Sequence, residues 1–192
     1  PLIANGFTDK ARRQAQSNVT SLREAIVEKG IPVLATSSTC TFTLRDEYPH
    51  LLDVDNTGLR EHIELATRFL WRKLDSGQTL PLGKLPLKVV YHTPCHMEKM
   101  GWSLYTLELL RLIPGLELTV LDSRCCGIAG TYGFKRENYE TSQAIGAPLF
   151  RQIEESGADI VVTDCETCKW QIEMSTSKRC EHPITLLAKA LG

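Results

Sequence analysis

Cys125 and Cys126 stand side by side, followed by Gly127, in the stretch SRCCGIAG. A disulfide between chain neighbours closes a strained ring whose torsions lie far from preferred disulfide geometry, so the pair suits holding something else. Three further thiols complete a pattern: Cys95 ahead of the pair, and Cys165-x-x-Cys168 behind it. Cys-x-x-Cys by itself serves zinc sites, dithiol redox enzymes and iron–sulfur proteins alike. Four thiolates close a zinc tetrahedron, and a fifth has no place in it. A polynuclear iron centre has room for all five, and soft thiolates select such centres. Adjacent cysteines would then reach two metal atoms of one centre. Zinc and dithiol chemistry stay open beside this reading.

Six of the seven cysteines lie between Cys95 and Cys180, with Cys40 alone before them. No secretion signal is visible, so a disulfide framework is the weaker explanation. Cys40 and Cys180 each read as a buried small hydrophobe. His92 and His96 flank Cys95 and read as polar residues capping a helix, with metal ligation or proton relay to a reduced quinone as the sharper alternative. Arg124, Lys169 and Lys99 place positive charge near the thiols, and Gly127 and Gly130 let the backbone turn closely round a bulky ligand.

These thiols need elements to bring them together. KVVYH, LTVLD and IVVTD are apolar strand-like runs, and the five cysteines follow these three runs directly. In a parallel α/β sheet the carboxyl ends of the strands share one edge, where ligand sites form. Pro94 suits a helix start, and Asp164 is the candidate N-cap of a helix carrying Cys168. Helix N-termini lower thiolate pKa and donate to sulfur. The helices expected are 8–29 with Thr8 as cap, 38–48, 58–74, 97–112, 136–155 with Pro148 inside, 166–177 and 184–191. Strands are expected over 31–36, 87–92, 116–122 and 158–164, with 76–86 as a Gly/Pro-rich linker.

The order repeats. Residues 6–40 line up with 133–168 with one inserted residue, and REHIELATRFL (60–70) echoes CEHPITLLAKAL (180–191). The fold class expected is therefore α/β, with two tandem copies of a parallel-sheet cysteine-rich unit, the first truncated at its N-terminus. The expected boundaries are 1–80 for the degenerate first copy, where Ser37 stands opposite Cys165, and 87–192 for the second. The chain of 192 residues starts Pro1-Leu2-Ile3 and reads as a segment of a longer protein. Its net charge of -1 argues against nucleic-acid binding. No apolar run approaches the length of a membrane span. The basic residues Arg60, Arg68, Arg72 and Lys73 beside Phe69 and Trp71 read as an ordinary amphipathic helix, with membrane-surface contact as the second possibility.

YHTPCHMEKMG, DSRCCGIAGTYGFK and VTDCETCKWQIEM together resemble the CCG cysteine-rich domain family across the whole chain. That family includes the B subunit of heterodisulfide reductases, the iron–sulfur subunit of glycolate oxidase and the C subunit of anaerobic glycerol-3-phosphate dehydrogenase. The resemblance implies an iron–sulfur cluster of the [4Fe–4S] type held by Cys95, Cys125, Cys126, Cys165 and Cys168. It further implies an electron-transfer rather than substrate-oxidising subunit, with flavoprotein dehydrogenase subunits as partners and a quinone as electron acceptor. The implied location is peripheral, at the cytoplasmic face of the cell inner membrane. A zinc-bound or metal-free docking scaffold and a thiol–disulfide oxidoreductase are the other readings of the same residues.

Overall fold

A computed structural model describes residues 1–192 as parallel sheets covered by helices. The first half runs α1 (Thr8–Arg23), β1 (Val33–Ala35), α2 (Ser38–Phe42), α3 (Tyr48–Leu52), β2 (Ile63–Leu65) and α4 (Ala66–Asp75). The second runs β3 (Lys88–Tyr91), α5 (Cys95–Met100), α6 (Ser103–Arg111), β4 (Glu117–Val120), α7 (Tyr139–Glu155), β5 (Ile160–Val162), α8 (Glu166–Ser175), β6 (Cys180–Glu181) and α9 (Pro183–Leu191).

Four strands form one sheet in the order β4-β3-β5-β6, every pairing parallel. Strand alternation assigns its two faces. Val90 and Val161, paired in register, face the side packed by Leu149, Ile153 and Ile172 of α7 and α8. Val89, Tyr91 and Val162 face the other side, packed by Leu109, Leu110, Leu186 and Leu187 of α6 and α9. Burial on both faces explains why VVY and IVV read as continuous apolar runs. On α7 the buried positions Ser142, Gly146, Leu149, Phe150 and Ile153 recur at helical spacing. The thiols join the α7/α8 face, since Cys126, Cys165 and Cys168 belong to that apolar cluster.

Several expected elements differ. The 58–74 helix is three pieces: a 3₁₀ turn at Arg60–His62, β2, then α4. β2 pairs parallel with β1, Val33 opposite Ile63, so a sheet partner outweighs the helical spacing of the apolar residues. The 97–112 helix divides at Gly101, whose φ of +69° closes α5. Thr8 is the first residue of α1 rather than its cap, and α1 passes into a π-helical turn at Glu24–Glu28. The 76–86 stretch forms no regular element but lies on the second half, Gly83 N–H donating to the Ala190 carbonyl at 2.6 Å.

The halves are sewn together at the strand ends. Ser38 N–H donates to the Asp164 carbonyl at 2.9 Å. His182 Nε2 donates to the Thr36 carbonyl at 2.7 Å while its Nδ1 accepts from Ile184 N–H. The basic residues of 58–74 act on the protein itself: Arg60 pairs with Asp46, and Arg68 and Arg72 converge on buried Glu64.

Candidate metal centre

The chain places its thiols where strands end. Cys95 opens α5 one short turn after β3, Cys125 and Cys126 sit in the loop after β4, and Cys165 is the N-cap residue of α8 after β5. Cys168 follows within the first turn of α8. All five line one cavity of about 130 Å³, with His92, His96 and Thr39 among the other residues of its wall. Cys126, Cys165 and Cys168 are buried at its floor, and Cys95 and Cys125 are exposed at its rim. Cys40 and Cys180 are not part of that wall. Cys180 is buried as expected, but Cys40 is exposed on α2 rather than packed inside: α2 turns this position outward while burying Ser38 and Thr41.

The sulfurs touch one another. Cys126 and Cys168 lie 3.3 Å apart and share a hydrogen bond. Gly127 N–H donates to Cys125 Sγ at 3.3 Å. Hydrogen bonds from Cys125 and then from Cys168 hold the Cys126 thiol far below its ordinary range. Donors around Cys165, Cys168 first and the hydroxyls of Thr167 and Thr39 after it, bring that thiol down to about 5. The groups that donate are pushed the other way: Cys125 rises chiefly by bonding to Cys126, and Cys168 by bonding to Cys126 and Cys165. Cys95, open to solvent on its outer side, rises through desolvation at the cavity mouth and through the nearby sulfurs of Cys126 and Cys165. Five sulfur donors thus gather on one wall, two of them with lowered pKa, and that set of soft donors fits a multi-metal thiolate centre.

His92 is 2% exposed, and its ring nitrogens lie with the sulfurs of Cys126 and Cys168 in a group whose ligand atoms are within 4.8 Å of one another. It caps no helix, so the capping reading fails for it; the strand-to-helix turn carries it onto the cavity floor. His96, in the first turn of α5, instead bonds the Thr39 hydroxyl through Nδ1 at 3.0 Å. Asp164 is not the N-cap of α8. It is fully buried and accepts from Tyr91 Oη at 2.6 Å and Thr106 Oγ1 at 3.1 Å, which ties β3 and α6 to the end of β5. Sequence reasoning does not single out Thr39. The signal that could have found it is the match of TSSTC to DCETC, which sets Thr39 opposite Thr167.

Comparison with known proteins agrees with this geometry. The CCG cysteine-rich domain model matches residues 89–173, which contain all five thiols. The chain is 85% identical over its whole length to the C subunit of the anaerobic glycerol-3-phosphate dehydrogenase of Escherichia coli, spanning 48% of that protein. It is 34% identical over 178 residues to lactate utilization protein A of Geobacillus thermodenitrificans, covering 86% of this chain and 69% of that one. An uncharacterized iron–sulfur protein of Methanocaldococcus jannaschii is 32% identical over 180 residues, 93% of this chain and 33% of that protein. The chain thus spans about half the length of the E. coli relative it matches so fully.

Proposed function

The chain belongs to the CCG cysteine-rich domain family, and from that premise we propose that it is the iron–sulfur electron-transfer part of a respiratory dehydrogenase. The observation that carries the proposal is the meeting of Cys95, Cys125, Cys126, Cys165 and Cys168 on one cavity wall. These five would hold a [4Fe–4S]-type cluster. Such a group takes up and releases single electrons at a potential set by its surroundings. The chain's own work is to supply thiolates, to donate backbone N–H groups at Gly127 and in the first turn of α8, and to exclude water with Ile128 beside the buried cysteines.

The names of the relatives support the setting. Likeness to one subunit of an anaerobic glycerol-3-phosphate dehydrogenase implies other dehydrogenase subunits, and we place a flavoprotein that oxidises glycerol 3-phosphate upstream of this chain. A quinone would receive the electrons. Attachment would be peripheral, at the cytoplasmic face of the inner membrane and through partner subunits. No helix is long and apolar enough to cross a membrane, and the arginines of α4 are engaged with Glu64. The two-copy organisation, 1–80 and 87–192, belongs to the same proposal. It is supported by the shared order of long helix, strand, short helix, strand and helix, and by the parallel pairing of β1 with β2 and of β5 with β6.

Anaerobic purification followed by iron and acid-labile sulfide assay and electron paramagnetic resonance tests the centre. Iron with matching sulfide is expected, and Cys126→Ser is expected to lose most of it with far-ultraviolet circular dichroism unchanged. Unchanged iron in that variant removes Cys126 from the ligand set. One observation favours a second reading: His92, Cys126 and Cys168 by themselves form a three-donor group suited to a single zinc ion. A colourless protein with stoichiometric zinc and no sulfide would decide for it.

A further inference from the structure

We propose that Thr39, contributed by the first half of the chain, is a positioning residue that raises the reduction potential of the centre by hydrogen bonding to the sulfur of Cys165. The proposal rests on the iron–sulfur reading above. The first half has no thiol opposite Cys165, since Ser37 stands there, yet its Thr39 lines the second half's cavity. Its α2 is anchored by the Ser38 N–H bond to the Asp164 carbonyl, one residue before Cys165. That anchor sets Thr39 Oγ1 3.5 Å from Cys165 Sγ and 3.0 Å from His96 Nδ1. The His96 ring in turn stacks on Phe42 of α2, centroids 4.8 Å apart and planes 14° from parallel. The hydroxyl is therefore held from both sides.

The direction of the bonds follows from chemistry. A cysteine bound to metal is a thiolate, which can only accept. Thr39 then gives its single proton to Cys165 Sγ, and its oxygen accepts from His96 Nδ1–H. The same sulfur also meets Thr167 Oγ1 at 3.3 Å. Thr167 is the residue that TSSTC and DCETC align with Thr39. One sulfur is thus contacted by corresponding threonines of the two halves. Hydrogen bonds to cluster sulfurs favour the reduced, more negative state and so raise the potential.

Redox titration followed by electron paramagnetic resonance, with iron measured on the same samples, compares the parent chain with Thr39→Val, Thr39→Ala and Thr39→Ser. Full iron is expected in all four. Valine and alanine are expected to shift the reduction equilibrium about tenfold toward the oxidised centre, a midpoint lower by about 59 mV for a one-electron couple. Serine is expected to stay close to the parent. Parent-like midpoints in both hydroxyl-free variants overturn the proposal. Loss of iron from both, with serine normal, also overturns it, because Thr39 then retains the centre rather than tunes it. A parent chain without iron and sulfide would instead remove the iron–sulfur reading, and this proposal with it.

Discussion

At Gly127 the backbone sits at φ +85°, and a Cβ placed there would meet the Ser142 carbonyl oxygen at 2.0 Å. The loop lies this close to α7 because Ser142 Oγ donates to the Gly127 carbonyl at 2.9 Å while Gly127 N–H points at Cys125. The third letter of Cys-Cys-Gly is thus dictated by approach and by handedness together. Gly127→Ala is expected to cost about 3 kcal/mol, combining overpacking with a left-handed alanine. Urea denaturation measures that cost, and iron content should fall because the alanine displaces both cysteines; a fully loaded, parent-stable variant would contradict it. Cys180 makes a different prediction. Burial lifts its thiol to about 12, whereas the unfolded thiol ionises near its ordinary value of 9.0. Between those limits the unfolded state releases a proton that the folded state keeps. Stability should therefore fall as pH rises from 9 toward 12, by up to about 1.4 kcal/mol per pH unit. Cys180→Val should lose less over that interval in parallel denaturation curves; identical losses would count against the buried-thiol account.

At the scale of elements, what was legible and what was not separates by how far away the deciding partner lies. The runs VVY and IVV are read correctly as strands because burial on both faces leaves them apolar throughout, a local signal. Residues 58–74 mislead because Leu59, Ile63, Ala66, Leu70 and Leu74 keep helical spacing, while the partner that makes Ile63–Leu65 a strand is β1, far back in the chain. The echo of REH in CEH is no guide to register either: Cys180–Glu181 is strand, whereas Arg60–His62 is a 3₁₀ turn and the strand follows it. Convergence of the five thiols was legible from topology alone, since each follows a parallel strand. The use of Asp164 was not, because an aspartate before a helix looks the same whether it caps the helix or bonds Tyr91 across the sheet. Tyr91→Phe tests that use. It leaves a fully buried carboxyl with Thr106 as its remaining side-chain donor, at an expected cost of about 1–3 kcal/mol. Thermal or urea unfolding reads it, and a change below about 0.5 kcal/mol would mean that Asp164 finds another donor.

For the molecule as a whole, the two halves are one unit only as far as their seam holds. Trp102, between α5 and α6 in the second half, meets two guanidinium groups of the first half, Arg45 at 4.8 Å and Arg68 at 4.5 Å from the ring. Arg68 is held there by Glu64, and Arg45 by donating to the Ile63 carbonyl at 2.8 Å. The indole thus ties β2 and α4 to the helices following β3. Close by, the hydroxyls of Thr67 and Thr106 meet at 3.0 Å across the same seam, Thr106 accepting because its own proton goes to Asp164. Each cation–π contact contributes about 0.5–2 kcal/mol, and the ring's partial burial adds to it. Trp102→Ala should then destabilise the chain by about 2 kcal/mol or more. It should also loosen the coupling, because the first half has only small apolar clusters of its own, around Ala15, Tyr48 and Leu52 and around Ile26 and Leu59. In the parent, denaturant curves by circular dichroism and by tryptophan fluorescence should coincide. In the variant they should separate, the first half melting at lower denaturant. Since Thr39 reaches the cavity from that half, the separation should carry a functional signature: Cys165 alkylates faster in the metal-free variant than in the metal-free parent. Coincident curves with unchanged alkylation would show that the backbone bond at Asp164 and the His182 contact hold the seam without Trp102.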